Sequence, residues 1–436
     1  MAVELLIYSP VLNPRINYTF SLFFESLISS PYKLTSDVSE YKNYNGPKLN
    51  YSGQVIEQNE IFIHASGLLS ETGIHAQQIT VTEWEGLKIF FQTSSGSLPF
   101  DVFAASFYLV SRYEEYLPFT ADKHGRYSHT ESLAFKNKFL DEPLVNYWAE
   151  KLKTILSKRY ADITFKENAY TFVPTVDVDI AFAHKGRGVF LTIASYLKAL
   201  SKFDIPLVFR KTMTLLGIRV DEYDTFVYMH DVFRANNVSP IYFVLAGKRG
   251  TFDKNIPVSG SAFKELVKEL SFRGSMGIHP SYDSGNDKLI VKQEIEAVEK
   301  PTRGRLTKSR QHFLKMTLPD TYECLAALKI TDDYTMLYPS INGFRASICS
   351  PFYFYDLKAE VELPVKVHPG VLMDGTLKDY EKLSPAEANK IIRELIMKVK
   401  KCRGEFIPVL HNHNLSEQGE WKGWREVFEK MVAVAV

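Results

Sequence analysis

Thr175-Val176-Asp177-Val178-Asp179 decides how this chain reads. It continues an apolar, β-prone run that starts at Phe172-Val173-Pro174. Such a run is expected as a buried parallel strand, and here the C-terminal tip carries two acids. Side chains alternate along a strand, so Asp177 and Asp179 are expected on one face and Val178 on the other. Two carboxylates on one face repel, and a cation or a shared proton must compensate them. In α/β sheets the strand C-termini are where ligands sit, so this tip is a candidate site. A helix cap or loop pair without chemistry is the plain alternative for these five residues alone.

Downstream of the acids, the segment around Lys185-Gly186-Arg187-Gly188 does not match a phosphate loop and reads as a flexible connection. A regular alternation then begins. Helices are expected over 222–236, 261–270, 289–298, 321–328 and 421–432. Another opens at Ser384-Pro385-Ala386-Glu387, a capping box with proline in the first turn. Strands are expected over 240–245, 276–279, 334–338, 363–367 and 406–410, with a further strand end at Ser309-Arg310-Gln311-His312. About seven strands alternating with helices argue for a parallel (β/α) barrel or an open doubly wound sheet.

Upstream, strands at 5–8, 32–35 and 61–64 and helices at 18–28, 99–116 and 144–156 suggest a smaller α/β domain over 1–165. Two polar stretches stand out in it, Ser111-Arg112-Tyr113-Glu114-Glu115-Tyr116 and Asp122-Lys123-His124-Gly125-Arg126-Tyr127. Either could be an inter-domain or substrate surface; a solvated helix end followed by a turn is the simpler reading.

Length and composition bound the function. A chain of 436 residues exceeds one ordinary core, and 45% hydrophobic with 24% charged residues is the balance of a globular protein. The 52 basic and 51 acidic residues give a net charge of +1, with no long basic run, so neither nucleic acid nor an anionic membrane is the expected partner. Cys324, Cys349 and Cys402 are odd in number and scattered, as reduced cytoplasmic thiols are. No segment approaches a membrane span, and the start Met1-Ala2-Val3-Glu4 lacks a basic leader. A cytoplasmic location is expected. Nothing in the sequence indicates the oligomeric state.

Further polar residues fall at expected strand ends: His279, His312 and His411, with Arg345 in Gly343-Phe344-Arg345. One carboxylate and two imidazoles make a hydrolytic zinc set with an open position for water. A lone histidine at a strand end is more often a satisfied hydrogen-bonding residue.

Taken in order, roughly from 170 to 432, these motifs resemble the polysaccharide deacetylases of carbohydrate esterase family 4. The resemblance implies a deformed seven-stranded (β/α) barrel, here over 166–436, following the smaller domain. Thr175-Val176-Asp177-Val178-Asp179 is similar to the family's first motif, which implies Asp177 as general base and Asp179 as metal ligand. Gly277-Ile278-His279-Pro280-Ser281-Tyr282-Asp283 is similar to the second motif but departs from it, with Asp283 where a second histidine belongs. Arg345 and His411 stand at the family's arginine and last-motif histidine. The chain also looks like a branch carrying an additional N-terminal domain.

The implied chemistry is coherent on its own terms. Asp177 takes a proton from water, His411 protonates the leaving amine, and Arg345 pairs with Asp177. Asp374, in Met373-Asp374-Gly375-Thr376, either orients His411 or makes a plain Asp-Gly turn. For the third ligand, Asp283, His411 and His312 compete. Adjacent strands lie about 4.8 Å apart, so His279 and His312 at neighbouring tips can converge on one ion. The expected set is therefore Asp179, His279 and His312, holding a divalent metal, zinc in the first instance. The expected function is a metal-dependent hydrolase acting on linear amide C–N bonds, removing an N-acetyl group from an amino sugar or glycan. A related hydrolase of non-sugar amides and a catalytically inactive carbohydrate-binding barrel are the alternatives.

Overall fold

The computed structural model describes residues 3–436; Met1 and Ala2, part of the expected N-terminal start, lie outside them. The first half holds a four-stranded parallel sheet in the order Tyr32–Thr35, Leu5–Tyr8, Lys48–Ser52, Ile61–His64. The helices Pro14–Ser21 and Val102–Val110 pack on it where Phe20 and Phe103 meet Tyr51 edge-on, and Leu144–Arg159 packs beside Ile61–His64. Val102–Val110 is buried at every position, so it has no solvent face. Asp101 caps it, accepting from the Phe103 and Ala104 amides.

The second half is built on nine strands. Their order is Phe352–Asp356, Val361–Val367, Asp332–Asp333, Lys308–Ser309, Ser275–His279, Ile241–Leu245, Thr175–Val178, Pro408–His411, Leu372–Met373. All neighbours are parallel except Phe352–Asp356, which runs antiparallel to Val361–Val367. Thr175–Val178 lies inside this sheet: Val409 pairs with Thr175 and His411 with Asp177 on one side, and Asp177 pairs with Phe243 on the other. The α/β class is as expected. The expected seven strands are met by nine, and among the described residues the outer two are not bonded to each other.

Several local expectations change. The 334–338 segment is not a strand. The strand there is Asp332–Asp333, and buried Asp333 ends it by accepting from the Thr335 amide and hydroxyl at 2.9 and 2.8 Å. The connection after Asp179 is an irregular turn at 185–188 but then forms two helices, Val189–Ser201 and Ile205–Leu215. Asp204 caps the second, accepting from the Leu207 amide at 3.0 Å, and Pro206 sits in its first turn. The helix at 384 has its capping box, with Ser384 and Glu387 each accepting from the other's backbone.

The two halves share one continuous apolar core, where Phe107 packs on Tyr355 at 5.2 Å between centroids. Buried Arg15 reaches across to Glu360 through two hydrogen bonds, at 2.9 and 2.5 Å. The Arg112-Tyr116 stretch is not a solvated helix end. Arg112 is fully buried and bonds Glu114 and Glu115. Arg345, from the second half, joins them through Glu115 at 2.9 and 2.6 Å. Two guanidinium groups thus face two carboxylates, which is the condition for tolerating buried charge.

Among the described residues, no helix is long and apolar enough to cross a membrane.

Candidate functional site

Asp179, His279 and His312 come together at the strand tips, with one donor atom from each lying within 4.8 Å of the others. Three strands of the same sheet account for this, two of them adjacent and the third one strand away across Ile241–Leu245. Asp179 follows Thr175–Val178, His279 ends Ser275–His279, and His312 follows Lys308–Ser309. The chain beyond Ser309 keeps pairing with its neighbour: Arg310 donates its amide to Ile278 and His312 to Pro280, both at 3.1 Å. This carries the His312 ring to the level of His279, 5.0 Å away between centroids. Gly277 makes the close packing below them possible, because a Cβ there would meet the Phe243 ring at 2.5 Å.

Both imidazoles have their tautomers set by partners that only accept. His279 Nδ1 donates to the Arg310 carbonyl at 2.5 Å, and His312 Nδ1 donates to Asp253 Oδ1 at 2.7 Å. Each Nε2 therefore points its lone pair inward when the ring is neutral. His279 Nε2 lies 3.1 Å from Asp179 Oδ1, and His312 Nε2 lies 3.5 Å from Asp179 Oδ2. Yet Asp179 Oδ1, a buried atom, makes no hydrogen bond. Two lone pairs and a carboxylate facing one another are repulsive unless a proton or a cation sits between them. The donor set and the fixed outer partners are those of a divalent-metal site.

Without a cation, protons take up the strain. Burial pulls the His312 ring down, but Asp179 and Asp253 overcome this and push it up to about 9. Burial likewise opposes the charge on Asp179, and His312 with the other imidazoles holds it well below the usual carboxylate range. Asp253 is fully buried and came from a loop, Thr251-Phe252-Asp253, with no signal in the sequence. It keeps the donor side of His312 facing away from the site. Asp253→Asn is expected to weaken metal binding by about 10–100-fold, the usual cost of losing an outer carboxylate partner. Competition against a chelator measures this, with thermal unfolding as the control for folding; unchanged affinity would remove Asp253 from the site.

Asp177 sits apart from this set. Its Oδ1 accepts from Arg310 Nη1 at 2.9 Å, and its Oδ2 lies 3.7 Å from His279 Nε2. Arg310 is wholly buried and held through Nη1 and Nε, while its Nη2 makes no hydrogen bond. Its Nη1 also donates to the Thr175 hydroxyl at 2.7 Å, its Nε to the Tyr334 carbonyl at 3.0 Å, and its guanidinium lies 4.6 Å from the Phe243 ring centre. The Thr175 hydroxyl passes its own proton to the Pro408 carbonyl, so it is free to accept.

The arginine beside Asp177 is thus Arg310, and the expectation for Arg345 is corrected. The loop before Arg345 is pressed on the first half: the Phe344 amide donates to the Leu140 carbonyl at 2.7 Å, and a Cβ on Gly343 would meet that carbonyl at 2.6 Å. Arg345 then faces Glu115, not the acids at the strand tips. The signal for Arg310 was present in Ser309-Arg310-Gln311-His312, beside a residue already singled out.

His411 stands across from His312. Its Nε2 is 3.5 Å from Asp179 Oδ2, but it is not part of the mutually close donor set. Asp374 holds it twice: Oδ1 accepts from His411 Nδ1 and Oδ2 from the His411 amide, both at 2.7 Å. Asp374 Oδ1 also accepts from the Gly375 amide at 2.6 Å, so the Asp-Gly turn and the histidine contact coexist. Burial opposes the His411 charge, but Asp374, then Asp179 and Asp177, raise its pKa to about 10. The neighbouring His413 is driven the other way, to about 4, by burial and by His411. Asp283 is exposed and does not join the metal donors.

A cavity of about 200 Å³ opens over these residues. Phe313, Leu314, Pro339, Met373 and Tyr380 form its less polar wall. Arg126, from the first half, reaches its rim, where it donates to the Phe313 carbonyl at 2.6 Å and pairs with Asp122 at 2.7 Å.

A family of unknown function (DUF7033) matches residues 5–161. No curated protein sequence matches the chain. A Mycobacterium smegmatis structure described as a "putative polysaccharide deacetylase" aligns over 62% of this chain and 85% of its own, at 15% identity and a TM-score of 0.40. Agd3, described as a novel carbohydrate deacetylase, aligns over 100% of this chain and 84% of its own, at 8% identity and a TM-score of 0.40. A Bacillus anthracis pseudoenzyme of the CE4 family aligns over 62% of this chain and 61% of its own, at 8% identity and a TM-score of 0.29. At these scores the likenesses stand as findings, and the chemistry rests on the residues.

Proposed function

We propose that this chain is a metal-dependent hydrolase that removes the N-acetyl group from an amino sugar or glycan. The observation that carries the reading is the division of labour among the carboxylates. Asp179 faces two inward lone pairs, Asp177 is held separately by Arg310, and Asp374 holds His411. That is one ligand set, one base and one acid around a single cavity.

A divalent ion at Asp179, His279 and His312, most simply zinc, would polarise the amide carbonyl and lower the pKa of water toward about 7. Asp177 accepts the proton of the attacking water, held in place by Arg310 Nη1 at 2.9 Å. Asp374 fixes His411 with Nδ1 protonated, so Nε2 is the atom that gives a proton to the leaving nitrogen. His413 stays neutral beside it and adds no competing charge. The cavity is smaller than the ~300–1,000 Å³ of sites that engulf a ligand, which suits one acetylated unit of a larger chain.

On this reading the chain belongs with carbohydrate esterase family 4, with the nine-stranded α/β unit over 166–436 as its counterpart of the deformed barrel, a domain over 1–165 that contributes Arg126 to the rim, and a cytoplasmic location. On the same reading His312 stands in for the histidine that Asp283 replaces, which gives three ligand residues.

The test is elemental analysis of the purified protein coupled to acetate release from a panel of N-acetylated sugars and oligosaccharides. About one divalent ion per chain and metal-dependent acetate release are expected. Metal without acetate, but with hydrolysis of other amides, would move the substrate to the non-sugar class. Absence of stoichiometric metal would overturn the reading.

A further inference from the structure

The helices Val189–Ser201 and Ile205–Leu215 form a hairpin that the rest of the fold scarcely covers. In the first, only Ala199 is buried; in the second, only Lys211 and Thr214. Between them, Tyr196 bonds Thr212 at 2.9 Å and Lys211 bonds the Ser195 carbonyl at 2.9 Å, so their polar contacts are with each other. Most of their large apolar side chains are exposed. Phe190 is 90% exposed and Phe203 87%, and Ile193, Leu197, Phe209 and Ile218 are each more than half exposed. A helical pair that leaves this much apolar surface in water is a mark of an interaction site, because isolated helices of this length are marginal without something to cover them.

Charge says what covers it. Residues 185–220 hold seven basic residues and one acid, a net +6. Set against +1 for the whole chain, this leaves the remaining residues at −5. Lys185 and Arg210 are partly satisfied at the base of the hairpin by Asp224 and Glu222. Lys198, Lys202 and Arg219 are exposed and form no ion pair among the described residues. Exposed phenylalanines and leucines flanked by lysine and arginine are the pattern of an element that lies in a membrane interface. The even charge of the whole sequence conceals this segregation.

The hairpin is also anchored. Asp221 accepts from the Ala183, His184 and Lys185 amides at 2.6, 2.8 and 3.1 Å, which pins the two ends of the excursion together. Thr225 donates to the Asn412 carbonyl at 2.8 Å, so the base rests on the loop after His411, at the site's end of the sheet.

We propose that the 189–215 hairpin docks this protein on a bilayer containing anionic phospholipid, with the site's end of the sheet toward the headgroups. The proposal stands apart from the chemistry of the site, and its failure would leave that reading intact.

The test is co-sedimentation of the full chain with phosphatidylcholine vesicles, with and without phosphatidylglycerol. Binding to the anionic vesicles is expected, weakening as salt screens the charges. Exchanging Lys198, Lys202 and Arg219 for glutamine is expected to cost about fivefold in partitioning per residue. Phe190→Ser with Phe203→Ser and Phe209→Ser is expected to abolish binding, and since these side chains already face solvent, the unfolding temperature should hold. Absence of binding to anionic vesicles, or equal binding to neutral ones, overturns the proposal. So does a dimer by light scattering that the three serine variants dissolve, which would assign the surface to a second copy of the chain.

Discussion

Asp177→Asn is expected to abolish turnover while the protein keeps its metal, and Asp179→Asn to lose both. The two residues are two positions apart, Asp177 in the strand and Asp179 just beyond its tip, and their partners differ. Asp179 looks into the lone pairs of His279 and His312, and its Oδ1 has no hydrogen bond to lose. Asparagine there puts an uncharged amide among donors that need a negative charge beside the cation. Asp177 is held by Arg310 at 2.9 Å and touches the site only through Oδ2. Asparagine keeps its shape but cannot take a proton, so the loss falls on the chemical step. A positioned base is worth about 10²–10⁴-fold at least. Metal content by elemental analysis, beside acetate release, separates the two variants. Equal metal loss in both would show that the roles of the pair are wrongly divided.

His411→Ala is expected to lower kcat by about 10²–10⁴-fold with metal content unchanged. The argument also sets a pH profile. Asp374, Asp179 and Asp177 together raise the His411 pKa to about 10, so the ring carries its proton at neutral pH. A cation at Asp179 removes part of that support, so the alkaline limb of kcat in the loaded enzyme should fall below about 10. His411→Ala should remove this limb, and Asp374→Asn should shift it downward. The same shift makes a stability statement with a definite sign. The folded-state pKa is raised above the ordinary ~6.5, so this contribution is fully present below about 6.5 and is lost as pH rises toward 10. Unchanged kcat in His411→Ala would take the histidine out of the mechanism; loss of metal would make it a ligand.

Much of the scaffold was legible because its signals are local. Periodic helices such as Pro385–Cys402 announce their caps and apolar faces within a few residues. The short strands Lys308–Ser309, Asp332–Asp333 and Leu372–Met373 are two residues long and carry no period, so the count of nine could not be read from pattern. The hairpin after Asp179 escaped for the opposite reason. Its apolar residues are not confined to one covered face, and the periodic rule assumes that the apolar face is the buried one.

By itself the sequence determined the acidic pair at a strand tip, the parity expected to put both acids on one face, and three histidines at strand ends, His279 and His312 among them on neighbouring strands. Those follow from alternation and from strand adjacency, which are properties of the backbone alone. Only the tertiary structure decided the partners. Arg310 rather than Arg345 meets Asp177, because the Arg345 loop is packed on Leu140 and its guanidinium is held by Glu115. Asp253, 59 residues from His312 in sequence, fixes that ring. An ion pair or a tautomer depends on which side chains the fold brings within about 3 Å of each other, and no local pattern in the chain encodes that distance.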